Sequence, residues 1–139
     1  MAHRQKIAAL AALAALAASA GAVKGSAEWA STTVKVTLKE FSLRPSTKLV
    51  SPGKVTFVVR NAGRVDHELV VLRTNRPAKK LGLTSFGDVY EVGRVARTKP
   101  IDARRTKTLT LILKVGHYAL LCNLPGHYEQ GMNVGLTVT

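Results

Sequence analysis

The chain has 139 residues, 46% hydrophobic and 21% charged, which suits one domain with a core of its own. A single cysteine rules out an internal disulfide framework, and the small aromatic share (5%) leaves the core to Val, Leu and Ala. The formal net charge of +13 favours anionic partners, such as acidic proteins or a membrane or cell-wall surface, but the basic residues are scattered with little aromatic interleaving, which speaks against nucleic acid.

In chain order, "MAHRQK" supplies Arg4 and Lys6 ahead of an apolar run from Ile7 to Ala20 that ends in the small-x-small site Ala18-Ser19-Ala20. The pattern predicts a signal peptide over residues 1–20. The run is shorter than the roughly 20 residues a membrane span needs, and no cysteine near the cleavage point could carry a thioether lipid anchor. Cleavage would remove Arg4 and Lys6, leaving 19 basic side chains against 8 acidic ones. The mature protein is then expected in the periplasm or outside the cell, as a monomer, with a flexible lead-in over 21–32 and one domain over 33–139.

From Thr33 the pattern is strand after strand. Residues 33–40 alternate Val34, Val36 and Leu38 with polar neighbours, the period of a half-buried strand. Residues 41–50 form a short strand or bend broken by Pro45, "SPGK" (51–54) a turn, and 55–61 the next strand. After the loop "AGRVD", residues 67–74 are apolar on both faces, as in a sheet covered on both sides. Residues 75–88 lose the period and predict a long connection with a helical turn, followed by a weak strand over 89–96 and a polar loop over 97–105. Strands over 106–115, 116–123 and 134–139 complete the chain. Seven to eight short strands with frequent turn signals predict an all-β sandwich with Greek-key connections.

"LLCNLPGHYEQGM" (120–132) holds the one cysteine and the one methionine besides Met1, with His127 midway between Cys122 and Met132. Each has an ordinary role when taken alone: Cys as a small buried hydrophobe, Met as core filler, His as a surface residue. Together they are specific. A strand ending at Cys122, a turn through Pro125 and Gly126, and a second turn through Gly131 would bring a thiolate, an imidazole and a thioether to one volume of space. A lone thiol in an oxidising compartment must be buried or occupied, and this donor set with a second imidazole is the blue-copper arrangement. The second imidazole must come from elsewhere. His3 would leave with the signal peptide. His117 lies five residues before Cys122, about 16 Å along an extended strand. His67, where a loop meets a strand, is the candidate.

"CNLPGHYEQGM" together with "NAGRVDHELVV" resembles the cupredoxins, the small type 1 copper proteins akin to plastocyanin, auracyanin, rusticyanin and sulfocyanin, over roughly residues 33–139. The C-x4-H-x4-M spacing is closer to the rusticyanin, auracyanin and sulfocyanin types than to plastocyanin. The resemblance implies one type 1 copper ion held by His67, Cys122, His127 and an axial Met132. Plastocyanin-like chains often carry Asn after the first histidine; here it is Glu68. Asn61 and Asn123 are candidates for bracing the site. The basic segments 73–80 and 94–107 have no evident counterpart. The expected function is one-electron transfer to a redox partner with an acidic docking surface, with Leu124 and Pro125 as a small docking patch beside His127. The alternative is copper storage, delivery or homeostasis. An enzyme is not expected, because multicopper oxidases and copper nitrite reductases need further histidines.

Overall fold

The computed structural model describes residues 30–139. The expected signal peptide (1–20), His3 and most of the expected lead-in lie outside the described residues. Nine strands build the fold: β1 (Ser31–Lys39), β2 (Ser42–Pro45), β3 (Leu49–Val50), β4 (Gly53–Asn61), β5 (Val70–Arg73), β6 (Arg94–Arg97), β7 (Thr106–Leu113), β8 (Gly116–Leu121) and β9 (Asn133–Val138). Among the described residues a single 3-10 turn, Ala78–Lys80, is the helical turn expected in the long connection. β1 begins at Ser31, so the last two residues assigned to the lead-in are strand.

The strands form two mixed sheets, one in the order β2-β1-β4-β7 and the other β3-β9-β8-β5-β6. Most pairs are antiparallel, but β1 runs parallel to β4 and β3 parallel to β9. The ninth strand arises because the segment broken at Pro45 yields two short strands, β2 and the two-residue β3, rather than one.

The sandwich follows from the two-residue period. Val34, Val36 and Leu38 of β1 and Val55, Phe57 and Val59 of β4 point inward and are almost wholly buried. Opposite them lie Val71, Tyr118, Leu120, Leu136 and Val138 of the second sheet. Burying each such aliphatic or aromatic side chain stabilises by about 1.5–3 kcal/mol, so a register slip of one residue would turn this whole set to water.

The second sheet is covered on its outer face as well. Val70 and Leu72 of β5 and Ala119 and Leu121 of β8 pack under Val89 and Tyr128, with Ala78 and Leu81 alongside. This cover comes from the long connection after β5 together with Tyr128 of the loop between β8 and β9, which explains why residues 70–72 are apolar without alternation. Strand β6 is confined to Arg94–Arg97. The expected strand at 89–96 is interrupted because Arg94 N–H bonds back to Glu91 O and Tyr90 N–H to Gly82 O, using the backbone for turns instead of a ladder. Cys122, directly after β8, and Asn133, which opens β9, bound the loop at one end of the second sheet.

Candidate metal centre

His67 stands just before β5 in a loop whose backbone is fixed by its neighbours. Its N–H donates to Ile101 O (3.2 Å) and its carbonyl accepts from Ile101 N–H (2.7 Å). Asn61, fully buried at the end of β4, donates from Nδ2 to Val65 O (2.8 Å) and Ile101 O (2.7 Å) and accepts from Gly63 N–H (2.9 Å). This asparagine braces the loop that carries His67.

On the other side, the 123–132 loop closes through turns. His127 N–H donates to Leu124 O, Gly131 N–H to Tyr128 O, and Met132 N–H to His127 O. Gly126 takes φ 77°, a left-handed conformation that glycine adopts without steric cost. Cys122 N–H donates to Met132 O (3.0 Å), so the backbone of Met132 is tied to both Cys122 and His127. Tyr128 anchors the loop outward: its hydroxyl donates to Ala78 O (2.7 Å) and accepts from Leu81 N–H (3.0 Å), joining it to the cover over the second sheet. Asn123 braces the same side, its Oδ1 accepting from Val89 N–H (2.7 Å) and its Nδ2 donating to Glu91.

These two supports bring three donors face to face. His67 Nδ1 and His127 Nδ1 are 3.1 Å apart, Cys122 Sγ is 3.4 Å from His127 Nδ1, and all three donor atoms lie within 4.8 Å of one another. Bonds of about 2.0–2.3 Å from imidazole and thiolate to one ion put its donors roughly 3.3–4 Å apart, so the cluster is of the size one metal ion needs. Met132 is wholly buried in the same core. His67 and Cys122 are also fully buried, whereas His127 is partly exposed. His117 is not in the cluster. It pairs with Thr137 near the far end of β8, while Leu121 pairs with Asn133 beside the site.

The electrostatics suit a cation. Burial lowers the His127 pKa, helped by the neighbouring His67, which keeps the ring neutral and its lone pair free. Burial raises the Cys122 thiol, against the pull of the Leu124 and Glu68 backbone N–H groups; Glu68 N–H lies 3.4 Å from Sγ. A thiolate there therefore needs a positive partner, and a bound metal ion supplies one. Thiolate with imidazole suits copper and zinc alike, and two imidazoles with one thiolate are the donors of a type 1 copper site, so the donor set fits one type 1 copper ion.

Four contributors were not foreseen from sequence. Glu40 and Phe41, in the β1–β2 turn, each touch one histidine. Glu40 Oε1 lies 3.0 Å from His67 Nε2, and the Phe41 ring meets the His127 ring edge-on at 5.3 Å. The Glu40 carboxyl is lowered from 4.5 to about 2, chiefly because it accepts from Val65 N–H and then from Arg64 N–H. Tyr128 is the third. The fourth is Arg97, whose Nη2 contacts both carboxylate oxygens of the buried Glu68 (2.9 and 2.7 Å). Glu68 raises the Arg97 pKa in turn. Arg97 also reaches Glu91, which Asn123 contacts in turn, so a chain of polar contacts links the residue after His67 to the residue after Cys122. Burial alone would raise the Glu91 pKa, but the bonds from Asn123 and Arg94 and the charge of Arg97 hold it low.

No family model matches this sequence. The chain is similar to the copper-resistant cuproprotein CopI of Rubrivivax gelatinosus, 29% identical over 111 residues that cover 78% of this chain and 67% of that protein. Among solved structures it resembles auracyanin A of Chloroflexus aurantiacus (19% identity, 79% of this chain and 100% of that one, TM-score 0.57). It also resembles rusticyanin from Thiobacillus ferrooxidans (20% identity, 78% and 77%, TM-score 0.57). The chain has the cupredoxin fold.

Proposed function

We propose that this chain is an exported type 1 copper protein that carries single electrons between redox partners. The observation that carries this is the convergence of His67 Nδ1, Cys122 Sγ and His127 Nδ1 within 4.8 Å on a cupredoxin sandwich. Met132, further along the same loop and buried in the same core, would supply a thioether to such an ion. Copper bound there would supply a one-electron couple. The chain's part is to hold the donors still. Both donor-bearing segments are cross-braced to strands, so the donors move little between oxidation states and little reorganisation opposes transfer. Four protein donors leave no open coordination position for a substrate, which favours transfer over catalysis.

His127 is the one partly exposed member of the set; the Phe41 ring meets it edge-on, and Leu124 and Pro125 precede it in the loop. Electrons would enter and leave at this edge. A partner with an acidic rim would be steered to it by the excess of basic side chains, and raised salt would slow the encounter. Export rests on the sequence pattern of residues 1–20. Among residues 30–139 no helix is long and apolar enough to cross a membrane.

A second reading, copper storage, delivery or homeostasis, is favoured by one observation, the likeness to a cuproprotein named for copper resistance. Adding Cu(II) to the purified protein tests the type 1 site: an intense thiolate-to-copper band in the visible is expected, and its absence would remove the electron-carrier reading while leaving copper handling open to a direct copper-binding assay. Voltammetry and a chelator challenge then separate them. A carrier gives a reversible one-electron wave and keeps its copper; a delivery protein gives the metal up.

Met132→Leu tests the axial position. The isobutyl side chain fills similar volume but offers no donor to the oxidised ion, so the variant is expected to keep copper and colour while its reduction potential rises. An unchanged potential would remove Met132 from the ligand set.

A further inference from the structure

Glu40 is placed to do more than close a turn. It lies 27 residues before His67 in sequence, between β1 and β2, yet its Oε1 reaches His67 Nε2 at 3.0 Å. The same oxygen accepts from Arg64 N–H (2.8 Å) and Val65 N–H (3.0 Å), the backbone just ahead of His67. His67 is wholly buried, while the Glu40 side chain keeps a quarter of its surface exposed. The carboxylate is therefore locked onto the loop and onto the ring together.

A second feature points the same way. A Cβ at Gly63 would overlap Glu40 Oε1 and fall 2.7 Å from its carboxyl carbon. Only a residue without a side chain leaves room for the carboxylate in this position. Gly63 is not among the residues with positive φ, so its value here is space rather than backbone freedom.

We propose that Glu40 is a positioning residue for the metal centre. By accepting a hydrogen bond from Nε2–H it fixes His67 as the tautomer whose bare Nδ1 faces Cys122 and His127, and its negative charge makes the imidazole a stronger donor. Carboxylate partners of metal-bound histidines act in this way. A stronger, more negative donor set favours the more highly charged ion, so Glu40 stabilises Cu(II) over Cu(I) and holds the potential down. The inference rests on the copper reading for its redox part but not for its tautomer part.

Three variants separate position from charge. Glu40→Gln keeps an oxygen acceptor and removes the charge. Glu40→Ala removes both. Gly63→Ala keeps the charge and displaces it. In the metal-free protein, the imidazole 15N shifts of His67 should report the Nε2–H tautomer in the parent and in Glu40→Gln, and a mixture in Glu40→Ala and Gly63→Ala. In the copper-loaded protein, Glu40→Ala and Gly63→Ala should lose about 10–100-fold in Cu(II) affinity, with a smaller loss for Cu(I). Glu40→Gln should keep the visible band and raise the potential. A parent ring protonated at Nδ1 would overturn the proposal whatever metal binds. So would a Glu40→Gln potential equal to that of the parent, because a purely structural acceptor would leave the potential where it was. If the parent takes up no copper while its His67 tautomer is as stated, the copper reading fails and the positioning role stands.

Discussion

Cys122→Ser is expected to abolish the visible band of the copper-loaded protein while leaving the sandwich folded. The band needs a thiolate, whose high-lying sulfur electrons transfer to Cu(II) under visible light. A serine hydroxyl stays protonated at neutral pH and is a hard oxygen donor. The fold should survive for reasons visible around the residue. The backbone of Cys122 is held by its N–H bond to Met132 O, which does not depend on the side chain. The new hydroxyl would not be orphaned, because Glu68 N–H already points at this position. With that bond made, exchanging a buried thiol for a hydroxyl should cost about 1–2 kcal/mol, a modest part of the stability of a small domain. Urea denaturation of the metal-free protein should show a transition of unchanged steepness at a slightly lower midpoint. Thermal melts should separate parent from variant further once copper is added. A ligand that binds only the folded state stabilises by about 2.7 kcal/mol at a hundred times its dissociation constant, and the variant should gain far less. Retention of the band in Cys122→Ser would mean that copper sits elsewhere.

What sequence could show and what it could not follows from how far each interaction reaches along the chain. β1 and β4 were legible because one face of each meets water and the other the core, so the period is written into adjacent residues. β5 was legible as a strand covered on both faces, but the agent of its second cover, Tyr128 with Ala78 and Leu81, was not. Cys122 and His127 share one loop, and their spacing, with Met132 five residues on, marked them as candidates. His67 could be inferred because the chemistry demanded a second imidazole and few histidines remained. Asn61 and Asn123 are candidates for bracing the site in the sequence, but only the structure gives their bonds. Glu40, Phe41 and Arg97 carried no such signal. A glutamate after a strand and an arginine in a polar stretch are ordinary surface residues until the sheets stack. Only the pairing of β1 with β4 brings the β1–β2 turn over the two histidines. Only β6 on the edge beside β5 sets Arg97 over Glu68.

That last pair yields the largest expected loss of stability. Arg97→Met should destabilise the metal-free protein by about 2–3 kcal/mol. Removing one partner of a buried ion pair typically costs about 3–5 kcal/mol, because the other charge is left without compensation. The lower figure applies here because the Arg97 side chain is 42% exposed, and water can replace part of what it gave. Glu68 cannot use that water well: its side chain is 0% exposed. The reverse substitution should therefore be milder. Glu68→Gln leaves the cation, which turns to solvent and to Glu91 (3.3 Å), while the amide oxygen keeps one bond from Arg97. A cost of about 1 kcal/mol is expected. The paired change Glu68→Met with Arg97→Met should recover much of the single Arg97→Met loss, since an apolar pair needs no compensation. Urea midpoints at constant transition steepness give all three values. The ordering, with Arg97→Met least stable, Glu68→Gln milder and the double variant in between or better, is what buried charge requires. If Arg97→Met were as stable as the parent, water must already solvate the Glu68 carboxylate, and the polar chain from Glu68 to Asn123 would be a surface feature rather than a support for the segments that carry His67 and Cys122.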